Sequence, residues 1–266
     1  MSMNPEAHFD CLQIAATLDA PLGGVTRLDL QRVAFLSCLL SIYTGEPVAD
    51  WGYKFANTGD GLPFSDQLIH ATESLVASDA LVERDGRLKI TQRGSALLSG
   101  LGALELLSPR RPCLNAATAS LLAVPGSVMA EGLQQEPTIV ASRLHDSASM
   151  LLDSPHIQTL HEHFETLAAV FPPGSSDLLS PSVLWLTYLA HANSEASGGS
   201  GDDSGPGDGG APDTGPPSGP ESTGLTDSFE AEAALASQLT SVVTPPLTNA
   251  AQDSSVVQPA SEEVPS

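Results

Sequence analysis

The chain has 266 residues, enough for one or two domains, and a formal net charge of −22 at pH 7. This charge is unevenly spread, because residues 1–111 carry −4, residues 112–192 carry −6 and residues 193–266 carry −12. More than half of the excess acidity therefore lies in the last segment, and the whole-chain charge does not exclude nucleic-acid binding by the first 111 residues.

Other features exclude several classes of protein. The apolar runs fall short of the roughly 20 residues that a membrane span needs, and the N-terminus lacks the basic and apolar regions of a secretory signal. Cys11, Cys38 and Cys113 are scattered along the chain, and we expect them to be buried free thiols. The sequence predicts a soluble, cytoplasmic protein that does not act at a membrane.

The first predicted elements are helical. Residues 1–26 form an N-terminal extension with a short helix around residues 8–18. Asp29 is placed as the N-cap of an apolar helix over residues 30–43, which Gly45 ends.

An irregular stretch over residues 46–64 follows, in which Gly and Pro alternate with aromatic residues. Trp51, Tyr53 and Phe55 lie here, and two interpretations of their rings stay open. The rings pin a loop into the core, or they form an exposed surface that binds a protein partner.

A hairpin between two helices is the clearest pattern in the chain. Ser65 caps a helix over residues 66–79, and alternating residues then flank Asp85-Gly86, a pair that tolerates the positive φ angles of a tight hairpin turn. Thr91 caps the next helix. Three apolar residues of the hairpin are expected to face inward: Val82, Leu88 and Ile90.

The second half of the chain divides into a helical region and a tail. Periodicity predicts helices over residues 115–132, 138–152, 155–171 and 181–192. Residues 193–266 are rich in Gly, Ser, Pro and Asp, contain no Lys or Arg, and are expected to be disordered.

Residues 225–243 interrupt the composition of the tail with three spaced apolar residues, Phe229, Leu235 and Leu239. This island is either a weakly helical patch of a solvated tail or a short segment that folds in the groove of a partner.

The sequence lacks the motifs that are typical of metal binding and catalysis. His156, His161 and His163 share one predicted helix, but none of their spacings is the i, i+4 spacing that lets two imidazoles bind one ion. The chain has neither the Gly-x-Ser-x-Gly elbow nor a phosphate-binding glycine loop. We therefore assign no catalytic residue and no metal ligand, and expect no cofactor and no small-molecule substrate.

A basic cluster surrounds the hairpin and comprises the candidate nucleic-acid contacts: Arg84, Arg87, Lys89, Arg93, Arg110 and Arg111. The helix before the hairpin, by contrast, has no Lys or Arg and carries Asp66, Glu73 and Asp79. Such a helix would be repelled by the phosphates that line a major groove. The cluster is therefore either a phosphate-binding edge or a solvated rim with local ion pairs.

Residues 27–102 resemble the winged helix-turn-helix superfamily through SLVASDALVERDGRLKITQRG, in which a helix end is followed by strand, turn, strand and a Thr-x-x-Gly that opens a helix. The preceding stretch, GEPVADWGYKFANTGDGLPFSDQL, is similar to the middle components of bacterial ABC-type three-component conflict systems. The first resemblance implies a winged-helix domain. The second implies a non-catalytic adaptor that lies between an ATPase and an effector.

The sequence thus predicts a mainly α protein with one small β-hairpin. Its parts are an N-terminal extension (1–26), a winged-helix domain (27–111), a helical region packed on it (112–192) and a disordered acidic tail (193–266). The predicted function is that of a non-enzymatic adaptor that binds a protein partner, within a bacterial defence system. The alternative is a transcriptional regulator that binds DNA through the basic wing. Six residues are candidates for protein contacts: Trp51, Tyr53, Phe55, Phe229, Leu235 and Leu239.

Overall fold

The computed structural model describes residues 4–58, 60–143, 150–152, 157–173 and 177–198. These ranges are mainly helical. The helices are α1 (Pro5–Leu22), α2 (Arg27–Tyr43), α3 (Asp66–Ala77), α4 (Gln92–Leu101), α5 (Arg110–Ala123), α6 (Gly126–Gln134), α7 (Pro137–Arg143), α8 (Ile157–Val170) and α9 (Leu179–Gly198). The strands are β1 (Ala56–Asn57), β2 (Pro63–Phe64), β3 (Leu81–Arg84) and β4 (Arg87–Ile90), and they form two antiparallel pairs, β1 with β2 and β3 with β4. No helix in the described ranges is long and apolar enough to cross a membrane.

Helix α1 is longer than the short helix expected around residues 8–18. It has 18 residues, and the side chain of Asn4 caps it by accepting a hydrogen bond from the backbone N–H of Ala7 at 2.8 Å. Phe9 and Leu12 are fully buried, and α1 packs against α2, α3, α4, α5 and β4. The first helix is therefore part of the same core as the hairpin.

Helix α2 begins one turn earlier than predicted. Thr26, not Asp29, is its N-cap, because the Thr26 hydroxyl accepts the backbone N–H of Asp29 at 3.0 Å. The same hydroxyl donates to the Asp29 carboxylate at 2.7 Å, so the two side chains are also hydrogen-bonded to each other. Leu36 and Leu39 are fully buried, as expected of a central helix.

The β3–β4 hairpin has the turn that its sequence predicts. Asp85 and Gly86 both adopt positive φ, 52° and 72°, which confirms the expected tight turn. Beside β4, Val25 exchanges two backbone hydrogen bonds with Leu88, of 3.0 and 2.8 Å. The short link between α1 and α2 therefore extends the hairpin by one antiparallel bridge.

The register of the hairpin shows that one of the three residues expected to face inward, Val82, does not. Leu81 pairs with Ile90, and Glu83 pairs with Leu88, so these four side chains lie on one face of the hairpin. Leu81 and Leu88 are buried on that face, whereas Glu83 is exposed. Val82 pairs with Lys89 on the opposite face, because side chains alternate along a strand. Leu81, rather than Val82, is buried beside Leu88.

The Thr-x-x-Gly motif before α4 has a clear physical basis. The Thr91 hydroxyl accepts the backbone N–H of Gly94 at 3.1 Å, so Thr91 is the N-cap, as predicted. A Cβ on Gly94 would lie only 2.1 Å from the carbonyl oxygen of Ala80. A glycine is therefore required where α4 crosses the start of β3.

The predicted helix over residues 115–132 is two helices. Helix α5 ends at Ala123 and α6 starts at Gly126, because the intervening Pro125 lacks the N–H that a continuous helix needs. Helix α7 covers the start of the predicted helix 138–152, and residues 144–149 lie outside the described residues. Helix α8 follows the prediction for residues 155–171 closely.

Helix α9 is buried against the rest of the chain. Trp185 is almost fully buried, and its ring centroid lies 5.3 Å from that of Phe164 on α8. Helix α9 also packs closely on α6 at Gly132. Its backbone stays helical to Gly198, so the first residues of the predicted tail belong to this helix. The rest of the tail, with Phe229, Leu235 and Leu239, lies outside the described residues.

Candidate functional site

The three aromatic candidates for partner contacts are core residues. Trp51, Tyr53 and Phe55 expose only 3%, 6% and 1% of their surface. Their rings contact one another in inclined arrangements, with centroids 6.2 Å apart for Trp51 and Tyr53 and 5.4 Å apart for Tyr53 and Phe55. The burial of these rings agrees with a loop pinned into the core and not with an exposed aromatic surface.

Arg110 holds this loop in place. Its Nε donates to Asp10 Oδ1 at 2.9 Å, its Nη2 donates to Asp10 Oδ2, and its Nη1 donates to the Trp51 carbonyl at 2.6 Å. The guanidinium also lies 3.7 Å from the centre of the Trp51 ring. Arg110 is 5% exposed, so its charge lies in the core and not at the surface, where a contact with nucleic acid was expected.

The buried carboxylate of Asp10 has a second partner in the Tyr53 hydroxyl, which donates to it at 2.6 Å. Burial raises the pKa of Asp10, and Arg110 and Tyr53 oppose that rise. Burial raises the pKa of Tyr53 as well, with the Asp10 charge acting in the same direction. A hydrogen-bonded network centred on Asp10 thus joins α1 to the aromatic loop through Tyr53 and to α5 through Arg110.

The other basic residues divide into engaged and exposed side chains. Arg87 donates to the Gly24 carbonyl at 3.0 Å, and Lys89 is half-buried beside Gly23 and Gly24. Arg111 is exposed but donates to the Gly102 carbonyl at 3.0 Å.

Arg84 at the hairpin tip and Arg93 in the first turn of α4 are both exposed. These two side chains are the best placed of the predicted cluster to reach a ligand.

The solvent side of α3 is acidic. Leu68 and Leu75 bury the opposite side of the helix, so that Asp66, His70 and Glu73 share the exposed side at intervals of four and three residues. Helix α3 has no Lys or Arg. We call this set, together with Gln67 and Ser74, the α3 face: Asp66, Gln67, His70, Glu73 and Ser74.

A surface ion pair links α2 to the hairpin beside the α3 face. Arg27 and Glu83 approach to 2.8 Å, with 44% and 37% of their side chains exposed. The hydrogen bond and charge of Arg27 lower the pKa of Glu83. The charge of Glu73 contributes to the raised pKa of Arg27, which places Glu73 in the same electrostatic neighbourhood. The positive charge of Arg27 is thus offset by two carboxylates.

The remaining reactive side chains are mostly buried. Cys11, Cys38 and Cys113 are free and buried, as predicted, and burial raises the pKa of Cys11 to about 12 and that of Cys113 to about 11. His161 is exposed, whereas His163 is half-buried against Tyr188, and His156 lies outside the described residues. Within the described ranges, no group of three or more His, Cys, Asp and Glu side chains could hold a metal ion.

A cavity of about 310 Å³ lies at the far end of α2 from the hairpin. It is bounded by the start of α1, the end of α2, the 3₁₀ helix Val48–Trp51 and the residues that precede α5. Sequence patterns gave no sign of it, because its acidic residues, Glu6, Glu46 and Asp50, come from separate places in the chain. Its outermost apolar residue, Leu106, sits in a stretch without helical or strand periodicity.

No family model, curated protein or solved structure matches this chain.

Proposed function

We propose that this chain is a non-enzymatic adaptor that binds a basic surface of a protein partner through the α3 face. The single observation that carries the proposal is the charge of that face, which presents Asp66 and Glu73 to solvent and no cation. Like charges juxtaposed across an interface are strongly unfavourable, whereas opposite charges steer association. The α3 face therefore favours a partner that is positively charged.

The winged-helix assignment is part of this proposal. Its support is the order of elements: α1, the Val25 bridge, α2, α3, the β3–β4 hairpin and α4, with the aromatic loop and the β1–β2 pair inserted between α2 and α3. In a DNA-binding protein with this order, α3 is the helix that enters the major groove. An acidic helix at that position would meet phosphates, so the scaffold is better suited to a protein ligand.

The resemblance to middle components extends the proposal to a biological setting. In that setting the chain would connect an ATPase with an effector by contacts alone. The buried Asp10, Tyr53 and Arg110 network supports a role as a rigid scaffold, because it ties the aromatic loop to two helices.

DNA binding through the wing is the second candidate, and two exposed arginines favour it. Arg84 at the hairpin tip and Arg93 at the start of α4 are free of the backbone contacts that hold Arg87 and Arg111. A wing can contact phosphates while the helix beside it stays off the groove.

One experiment separates the two candidates. The full chain, carrying an affinity tag, is recovered from its native host, and the bound material is analysed for protein and for DNA with and without nuclease treatment. The adaptor predicts a protein partner in a fixed ratio that survives nuclease. Recovery of DNA alone, weakened by Arg84→Glu with Arg93→Glu and by added salt, would support the regulator instead.

A further inference from the structure

The cavity at the end of α2 carries an unbalanced negative charge. Three acidic residues line it, Glu6, Glu46 and Asp50, and the one basic residue in its lining is Arg110. The Arg110 charge is matched by the buried carboxylate of Asp10, which lies behind the cavity wall. An occupant of the cavity therefore meets a net negative field.

The cavity also has an apolar edge. Leu106 is 72% exposed, the largest exposed fraction among the large hydrophobic residues that the structure describes. Leu106 follows the exposed Leu104 by two residues, and both belong to the segment between α4 and α5. This edge of the cavity therefore carries two exposed apolar side chains on which an apolar group of an occupant could pack.

Trp51 lies in the wall of the cavity and is only 3% exposed. Its indole Nε1 lies beside the Tyr53 hydroxyl, where it lowers the pKa of that hydroxyl, so this N–H belongs to the buried network behind the wall. The indole therefore reports on an occupant of the cavity without being its hydrogen-bond partner.

The charge of the chain excludes its own C-terminal part as the occupant. No Lys or Arg occurs after Arg143, so the acidic C-terminal residues cannot offer a complementary cation to this cavity. A volume of about 310 Å³ is at the lower end of ligand pockets, which suits one side chain better than a folded element.

We propose that the cavity receives a lysine or arginine side chain of a protein partner, with a neighbouring apolar residue of that partner packed on Leu106. This inference rests on the proposed adaptor function and gives it a second contact site. Arg27 at the start of α2 meets the hairpin, and Ser41 near its end lines the cavity. A helical rise of 1.5 Å per residue separates these two residues by about 21 Å. The adaptor would therefore hold its partners at two sites, one near each end of α2.

The test uses the full chain labelled with ¹⁵N, in which Trp51 and Trp185 give the two indole N–H signals. The probe is acetyl-Gly-Arg-Leu-Gly-amide, and the matched control replaces its arginine with citrulline, which has nearly the same shape and no charge. The proposal predicts that the arginine peptide shifts the Trp51 signal and leaves the Trp185 signal in place. It also predicts that the citrulline peptide binds at least roughly fivefold more weakly.

Variants of the lining residues test whether the peptide binds in the cavity. Glu46→Gln combined with Asp50→Asn should weaken the arginine peptide by roughly five- to tenfold, and Leu106→Ala should weaken both peptides. The control pair Glu131→Gln and Glu165→Gln removes two exposed carboxylates from helices outside the cavity and should leave binding unchanged. The unligated spectra of all variants report whether each variant is folded.

Three results would overturn the proposal. The first is the absence of any shift at millimolar peptide, and the second is equal binding of the arginine and citrulline peptides. The third is a shift of the Trp51 signal that depends on the concentration of the chain, occurs without peptide and is abolished by Arg84→Glu. The occupant would then be a second copy of this chain. If the cavity variants retain the partner recovered from the host, this inference fails while the adaptor function stands. If the host yields no protein partner, the adaptor function itself fails.

Discussion

Arg110 and Asp10 form a buried ion pair between residues 100 positions apart in the chain, and both side chains of the pair are almost fully removed from water. The pair joins the first helix to α5, and through the Trp51 carbonyl it also fixes the aromatic loop. Removal of either partner would leave an uncompensated charge in the core, so we expect the fold to be sensitive to substitution of either residue.

Arg110→Met tests this pair. The substitution leaves the buried Asp10 carboxylate without its cationic partner, and we therefore expect the free energy of unfolding to fall by about 3–5 kcal/mol. The measurement is urea denaturation followed by circular dichroism. The neighbouring substitution Arg111→Met is the matched control, because Arg111 is exposed, donates to the Gly102 carbonyl and lies 5.8 Å from the centre of the Phe9 ring, without a buried carboxylate partner. Its expected cost is under about 1 kcal/mol. Equal losses for the two variants would contradict the assignment of Arg110 to the core.

Gly94 and Gly100 offer a second pair of variants on one helix. A Cβ at Gly94 would meet the Ala80 carbonyl oxygen at 2.1 Å, whereas a Cβ at Gly100 would meet nothing within 4 Å. We expect Gly94→Ala to destabilise the fold by about 1–3 kcal/mol. We expect Gly100→Ala to stabilise it by about 0.4–1 kcal/mol, because alanine restricts the unfolded chain. Thermal unfolding checks both, and a neutral Gly94→Ala would show that α4 does not cross β3 this closely.

His163 makes the stability of the fold depend on pH. Burial lowers the pKa of His163 below its ordinary value of 6.5, and the charge of Glu162 opposes this only in part. The unfolded chain therefore binds more protons than the folded chain between the two pKa values. Stability must then fall as the pH drops from about 6.5 through the folded-state pKa of His163.

His163→Gln should remove this part of the pH dependence, whereas His161→Gln, on the exposed side of the same helix, should preserve it. The measurement is the urea midpoint at a series of pH values between about 5 and 8. A His163→Gln profile that matches the unsubstituted chain would contradict the buried position of the imidazole.

Local patterns predicted the hairpin and its flanks well. The turn at Asp85-Gly86 and the cap at Thr91 depend on residues close in sequence, so their geometry follows from local conformational preferences. The mainly helical composition of the chain follows from the same kind of periodic pattern.

Long-range contacts could not be predicted in this way. Nothing local to Arg110 distinguishes it from Arg111, and only the approach of Asp10 from α1 turns one arginine inward. The aromatic loop had the same ambiguity, because the burial of Trp51 depends on that same distant pair. The acidic cavity likewise combines residues from separate segments, so no spacing rule could indicate it.

The most direct test of the central claim reverses the charge of the α3 face. Asp66→Lys combined with Glu73→Lys changes two exposed side chains, and Glu131→Lys combined with Glu165→Lys makes the same charge change on α6 and α8. The measurement is the amount of protein partner that co-purifies with each tagged chain. The account predicts at least roughly tenfold less partner with the α3 pair and no loss with the control pair. Equal recovery with both pairs, or tighter binding of duplex DNA as the main effect of the α3 reversal, would contradict it.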